Sequence, residues 1–318
     1  DGLLVLWDAA EARFLPGVLD AMFAAHAALL DHLSEAADLW DAPRPSFVLA
    51  AQLATRAASQ TWPGTPEVDT LHDPFLRQAL RTPDALAVRG QDLSLTYAEL
   101  AAHSEQLARR LLDTNTAPLV AVCLPRGPLQ AVATLAILRS GAAYLPVDPD
   151  LPPARILTLL ADGEVHLVVT DPSTPLPELP AHITTIYVLQ DMSEKTLPTH
   201  VPRDMPTVAP TALAYVLYTS GSTGAPKGVA VAHHAAWNTI AAINARFNVA
   251  PTDRVLALSA LSFDLSVYDL FGILATGAAV VFPPPDTFRD PTTWPLDGIT
   301  LSNRSEEHTS ELQSRYVI

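Results

Sequence analysis

Tyr218–Gly228 reads YTSGSTGAPKG. Gly221 and Gly224 stand among the hydroxyl side chains of Thr219, Ser220, Ser222 and Thr223, and the stretch closes on Pro226, Lys227 and Gly228. The apolar run Leu213–Leu217 (LAYVL) before it predicts a buried strand, and Val229–Val231 after it a second, short one. A glycine-rich turn leaving a strand lets backbone N–H groups converge on a phosphate, because no Cβ blocks the approach. The hydroxyls add donors and Lys227 adds a mobile positive charge, so the stretch reads as a loop that holds polyphosphate. It is not a Walker A loop. That motif sets Gly directly before Lys and Ser or Thr directly after it, whereas Lys227 stands between Pro226 and Gly228.

Composition narrows the class around this loop. A chain of 318 residues makes one large or two ordinary domains, and 49% hydrophobic content supports a globular core. The 29 prolines point to many loops and at least one linker. A formal charge of −15 argues against nucleic-acid and anionic-membrane partners, which reward Lys and Arg. Lys227 then matters as a local cation for an anionic nucleotide. The single cysteine, Cys123, excludes an intrachain disulfide framework and fits a cytoplasmic location; its setting, LVAVCL, reads as a buried structural thiol. No signal peptide is present, and no apolar run is long enough to span a bilayer. The chain starts at Asp1 without methionine, which reads as a fragment.

At the N-terminal end, Gly2–Asp8 (GLLVLWD) predicts a strand and Pro16–Ala36 a helix. Val18, Leu19, Met22, Phe23, His26, Leu29, Leu30 and Leu33 recur on it at helical spacing. One strand and one helix cannot bury such a face, so they are expected to end a preceding domain. His26 is read as a half-buried helix residue. Asp41–Asp73, rich in Ala, Pro, Thr and Ser, reads as a linker with room for one short helix. At the other end, 304–314 reads RSEEHTSELQS, which resembles the in-frame translation of a common sequencing adapter. Residues 304–318 are therefore set aside from fold reasoning, and Glu306, Glu307 and His308 are not taken as a metal site.

Between these ends, strands and helices alternate. A helix at Pro74–Arg81 and a strand at Ala85–Val88 lead to LTYAEL, where Thr96 caps the helix Tyr97–Leu112 and Glu99 completes a capping box. Leu100, Leu107 and Leu111 give that helix one buried stripe. Strands are expected at Leu119–Leu124, Tyr144–Val147, Val165–Thr170 and Arg254–Ser259, with a weak one at Ile183–Leu189. Helices are expected at Pro128–Arg139, Pro153–Leu160 and His233–Phe247. The alternation implies a parallel or mixed sheet covered by helices on both faces. His233 and His234 are neighbours on a helix, face different directions and lack a third ligand, so they are not read as metal-binding. Asp264, in ALSFDLSVYDLF (Ala260–Phe271), has two readings that the residues alone leave open. It caps the helix that follows, or it pairs with a substrate ammonium in an apolar pocket.

The string at Tyr218–Gly228 closely resembles the phosphate-binding loop of the adenylate-forming superfamily, which includes acyl-CoA ligases, luciferases and the adenylation domains of nonribosomal peptide synthetases. Leu135–Ile156 (LAILRSGAAYLPVDPDLPPARI) resembles the second signature of amino-acid adenylation domains, with Ser140 where alanine is more usual. The FDLS of Phe263–Ser266 resembles their fourth signature, in which the aspartate binds the α-amino group. The LxxWD, FLPG and DAMFAA stretches before residue 25 resemble the end of condensation-type domains, the heterocyclisation branch in particular. The resemblance implies an α/β fold, the layered sheets of the adenylate-forming N-terminal subdomain, truncated and preceded by a small α+β remnant. Residues 1–40 are then the edge of a condensation or heterocyclisation domain, 41–72 a linker and 73–303 the N-terminal part of an adenylation domain. Its acidic Mg²⁺ ligand, ribose-binding aspartate and mobile subdomain with the main catalytic lysine would lie beyond residue 303, so the polypeptide as it stands is expected to be inactive.

The implied reaction joins an amino acid to ATP, giving aminoacyl-AMP and pyrophosphate, with later transfer to a carrier domain's phosphopantetheine. Thr219, Ser220, Gly221, Ser222, Thr223, Gly224 and Lys227 would hold the phosphates, with Mg²⁺ neutralising charge. The selectivity positions map to Asp264, Leu265, Tyr268 and Asn303, a set that looks like the start of a cysteine-selecting one. Small pockets separate near-isosteres weakly, which leaves serine or alanine open, and the cyclisation-type remnant upstream favours cysteine, then serine or threonine. Implied partners are the carrier and condensation domains of the same synthetase. Two other readings stand beside this one. An acyl- or aryl-CoA ligase shares the loop but would lack an amine-binding Asp264, and a truncated, non-catalytic piece would only dock partners.

Overall fold

The computed structural model describes residues 5–35, 40, 50–60, 68–114, 118–188, 204–219, 227–284, 290–303 and 316–317. The chain divides into two compact units, Asp1–Thr65 and Pro66–Ile318. In the first, Gly17 takes φ +80, a backbone state that glycine adopts without strain, and starts the helix α1, Val18–Glu35. Helix α2 spans Ala50–Gln60. The strand expected over Gly2–Asp8 is not formed at 5–8, and the described residues of this unit contain helices only, not an α+β remnant. A lone extended segment has no neighbouring strand to take its N–H and C=O groups. Trp7 instead packs edge-on against Phe23 and His26 of α1, with centroids 5.4 Å away in each case. No residue of α1 is fully buried.

In the second unit the order is α3 (Asp73–Arg81), β1 (Leu86–Arg89), β2 (Ser94–Thr96), α4 (Tyr97–Asp113), β3 (Leu119–Cys123), α5 (Pro128–Arg139), β4 (Ala143–Pro146), α6 (Pro153–Asp162), β5 (Leu167–Thr170), β6 (Thr184–Tyr187), β7 (Leu213–Thr219), β8 (Lys227–Ala232), α7 (His233–Phe247), β9 (Arg254–Leu256), α8 (Leu265–Val267), β10 (Ala279–Val281), β11 (Leu301–Ser302) and β12 (Tyr316–Val317). Helix α8 runs on into a π-helical turn, Tyr268–Gly272. Asp69–His72, ahead of α3, are already buried.

The strands form two mixed six-stranded sheets, ordered β12-β11-β9-β10-β1-β2 and β6-β5-β3-β4-β7-β8. Each is parallel except for one antiparallel pair at an edge, β1–β2 in the first and β7–β8 in the second. Residues 316–317, set aside in the sequence, run parallel to β11 at the rim of the first sheet. Helix α5 is buried along almost its whole length and touches β1 of one sheet and β3 and β4 of the other. That explains a sequence, PLQAVATLAILR, that is apolar on nearly every side: a helix between two sheets has no solvent face. On the far side of the second sheet, Ile156, Leu159 and Leu160 of α6 join Ala121, Cys123 and Leu145 in a separate core. Burial there pushes the Cys123 thiol up to about 12, so it stays protonated and inert. The capping box forms as the sequence predicts, with Glu99 N–H donating to Thr96 Oγ1 and Thr96 N–H to Glu99 Oε2.

Candidate functional site

Strands β7 and β8 are an antiparallel hairpin whose last pair is Thr219 opposite Lys227. Ser220, Gly221, Ser222, Thr223 and Gly224 lie outside the described residues, so the structure places the two ends of the loop and not its interior. Strand β7 runs parallel to β4, so the loop leaves from the carboxyl edge of the sheet, the edge at which open α/β sheets bind ligands. Lys227 is exposed and makes no ion pair among the described residues, which leaves its charge available to an anion. One residue before the loop, the Tyr218 hydroxyl donates to Asp162 at the end of α6 and ties down the hairpin's base.

The second half of the site is built after β9. Asp264 sits at the N-cap of α8, yet its side chain makes no capping bond, and it is exposed rather than sunk among apolar residues. The capping role that the sequence left open is therefore not taken up. Its charge is felt by Tyr215 on β7, whose phenol is pushed up to about 12, first by burial and then by Asp264. Asp264 thus lies within electrostatic reach of Tyr215 on the strand that leads into the glycine-rich loop. Leu265 is half-buried and Tyr268 buried. The Tyr268 hydroxyl donates to Asn244 Oδ1 at 2.8 Å, and Asn244 Nδ2 donates to Gly272 O at 2.8 Å, so α7 holds the ring from behind. Asn303, buried at the end of β11, donates through Nδ2 to Leu265 O at 3.0 Å and to Asp269 Oδ1 at 2.9 Å. Three sequence-expected pocket residues, Leu265, Tyr268 and Asn303, are therefore gathered on one helical turn and the strand end beside it.

Four residues that sequence reasoning missed complete the setting: Tyr215, Asn244, Arg126 and Asp269. Arg126 donates to the carbonyls of Ala257 (3.1 Å) and Ser259 (2.7 Å) and so fixes the segment that delivers Asp264. Asp269 is wholly buried, and burial pushes its carboxyl up to about 7. Hydrogen bonds from Asn303 and the Ser259 N–H, and the Arg126 charge, pull the other way. The only sequence signal for it is a charge inside an otherwise apolar helical run, VYDLF. A cavity of about 470 Å³ opens at the carboxyl ends of β3 and β4, lined in part by Arg126, Asp148, Leu258 and Ser262. It adjoins the Asp264 segment without including Asp264. Among the described residues no three acidic, thiol or imidazole side chains converge as a metal-ligand set.

Two sheets around a buried helix, with a glycine-rich hairpin loop at the carboxyl edge, define the N-terminal subdomain of an adenylate-forming enzyme. A family model described as AMP-binding enzyme matches residues 75–300, and the chain belongs to that family. It covers the N-terminal part of an adenylation domain. Among its relatives is phenyloxazoline synthase MbtB of Mycolicibacterium paratuberculosis, 43% identical over 92% of this chain and 25% of the relative. Pyochelin synthetase PchE of Pseudomonas aeruginosa is 40% identical over 92% of this chain and 20% of its own length. The AMPPNP-bound structure of the nonribosomal peptide synthetase FmoA3 superposes with a TM-score of 0.77 at 37% identity, covering 91% of this chain and 32% of that one. The chain thus spans a quarter or less of these two curated relatives.

Proposed function

We propose that this chain is the amino-acid- and ATP-binding part of an adenylation domain in a nonribosomal peptide synthetase, and that cysteine is its favoured substrate, ahead of serine and threonine. The observation that carries the reading is Asp264: a carboxylate at a helix start, exposed, without a capping bond, within electrostatic reach of Tyr215 on the strand that leads into the glycine-rich loop. An ammonium group is the natural counter-ion for it, and a fatty or aryl acid offers none. Leu265 and Tyr268 supply apolar walls and Asn303 a polar end, a pocket suited to a short side chain with a weak donor.

In the proposed reaction the amino acid's carboxylate attacks the α-phosphorus of ATP and pyrophosphate leaves. Asp264 holds the ammonium so that the carboxylate faces the nucleotide. Lys227 and the loop of Thr219–Gly224 take the charge of the β- and γ-phosphates, and catalysis is positioning plus electrostatics. Mg²⁺ would neutralise the charge of the phosphates. A carrier's phosphopantetheine thiol would then accept the aminoacyl group, and a neighbouring condensation or heterocyclisation domain would use it. The names of the relatives support this setting; an oxazoline carries oxygen where a cysteine-derived ring carries sulfur, which keeps serine and threonine beside cysteine.

The test is ATP–pyrophosphate exchange by the synthetase module carrying this chain, run with a panel of amino acids. Cysteine is expected to give the highest kcat/KM. Exchange driven equally well by carboxylic acids without an amino group would refute the reading in favour of an acyl- or aryl-acid ligase.

A further inference from the structure

We propose that Asp269 is a positioning residue for substrate selection: it fixes the Asn303 amide so that Asn303 meets the amino-acid side chain with its carbonyl oxygen, as an acceptor for a thiol or hydroxyl hydrogen. The inference rests on the amino-acid reading above and narrows its substrate class.

A carboxamide has two N–H hydrogens and one carbonyl oxygen. Around Asn303, Leu265 O at 3.0 Å and Asp269 Oδ1 at 2.9 Å can only accept, so both amide hydrogens are committed to them and the orientation of the amide is forced. The oxygen is the one polar atom Asn303 has left for a ligand. When Asp269 is ionised it enforces this more strictly than an amide would, because a carboxylate then has no hydrogen to offer in a flipped arrangement.

Asp269 also lies within reach of a fixed segment: Arg126, whose charge favours the ionised Asp269, donates to the Ser259 and Ala257 carbonyls and holds the chain leading to Asp264. The other Asp269 oxygen, Oδ2, is buried without a hydrogen-bond partner. A fully buried carboxyl with an unsatisfied oxygen is costly to the fold, and such groups concentrate where a site requires them. The carboxyl's rise to about 7 reflects the same burial.

The experiment measures kcat and KM for cysteine, serine and alanine by ATP–pyrophosphate exchange in the module carrying this chain, with thermal melting as the check on folding. Asp269→Leu releases the Asn303 amide, and the preference for cysteine or serine over alanine is expected to fall about tenfold or more, mainly through KM. Asp269→Asn keeps one acceptor oxygen for Asn303 and is expected to recover most of that preference. Should Asp269→Leu not fold, Asn303→Leu decides the acceptor role and is expected to lose the preference to a similar extent. An unchanged preference in Asp269→Leu or in Asn303→Leu overturns the proposal, as does an Asp269→Asn variant as impaired as Asp269→Leu. If the unsubstituted module activates no amino acid at all, the underlying reading fails first and this one with it.

Discussion

Asp264 carries a charge that its own helix leaves unused. Removing it with Asp264→Ala is expected to lower amino-acid-dependent exchange on the order of a hundredfold or more, since the ion pair formed with the substrate's ammonium is lost. Melting temperature should hardly change, because the side chain caps nothing. Asp269, five residues on, should in addition make stability depend on pH. Its carboxyl titrates near 7 in the folded chain against about 3.9 unfolded, so the folded state holds the proton more tightly. Stability from this group is therefore present below about pH 4 and lost as pH rises towards 7. Asp269→Asn removes that loss, and its melting temperature relative to the parent is expected to be higher at pH 8 than at pH 5. Of these two aspartates, only Asp264 was legible in the sequence, through the motif around it. Asp269 shows in the sequence only as a charge in an apolar run, because its partner Asn303 arrives from a strand more than thirty residues later.

The element that shapes the pocket is the π-helical turn Tyr268–Gly272. A Cβ on Gly272 would lie 2.6 Å from Tyr268 Cδ2, so the glycine is what lets the ring lie flat against its own helix. Gly272→Ala is expected to push the ring off Asn244, cost about 1–3 kcal/mol of stability in denaturant unfolding and raise the KM for the amino acid. Thr96→Ala, far from the site, should cost about 1 kcal/mol through loss of the α4 cap and leave KM unchanged. The capping box, the α5 run and the α7 span could be read from local pattern because each depends on residues three or four apart. The π turn could not, since Ser266–Leu274 is buried throughout and presents no polar face whose shift would mark an extra residue. The strand expected at Gly2–Asp8 went the other way: its pattern suits a sheet, and the described residues of that unit provide none to join.

Across the whole molecule, the alternation of strands and helices revealed an α/β class but not that there are two sheets. Which strands share a sheet depends on pairings such as Val88 with Val280, beyond the reach of local periodicity. The packing of the segment just ahead of α3 against the start of α7 is likewise hidden in the sequence, and it holds two buried histidines. His72 and His233 lie edge-on, 5.6 Å apart, and His233 Nδ1 accepts from the Leu71 N–H at 3.1 Å. Burial holds both imidazoles well below their ordinary value, His233 to about 4. In the unfolded chain they would take up protons near 6.5, so stability is expected to fall as pH drops from about 6.5 towards 4. Melting curves over that range should show a shallower fall in His72→Phe.

The central claim is that the site recognises an amino acid through Asp264, and one comparison reaches it directly. ATP–pyrophosphate exchange by the module carrying this chain should be measured with L-cysteine and with 3-mercaptopropionate, its analogue lacking only the amino group, for the parent and for Asp264→Ala. The account predicts strong exchange with cysteine, little with the analogue, and loss of that difference in the variant. Equal exchange with both acids, or a preference that survives Asp264→Ala, would contradict it.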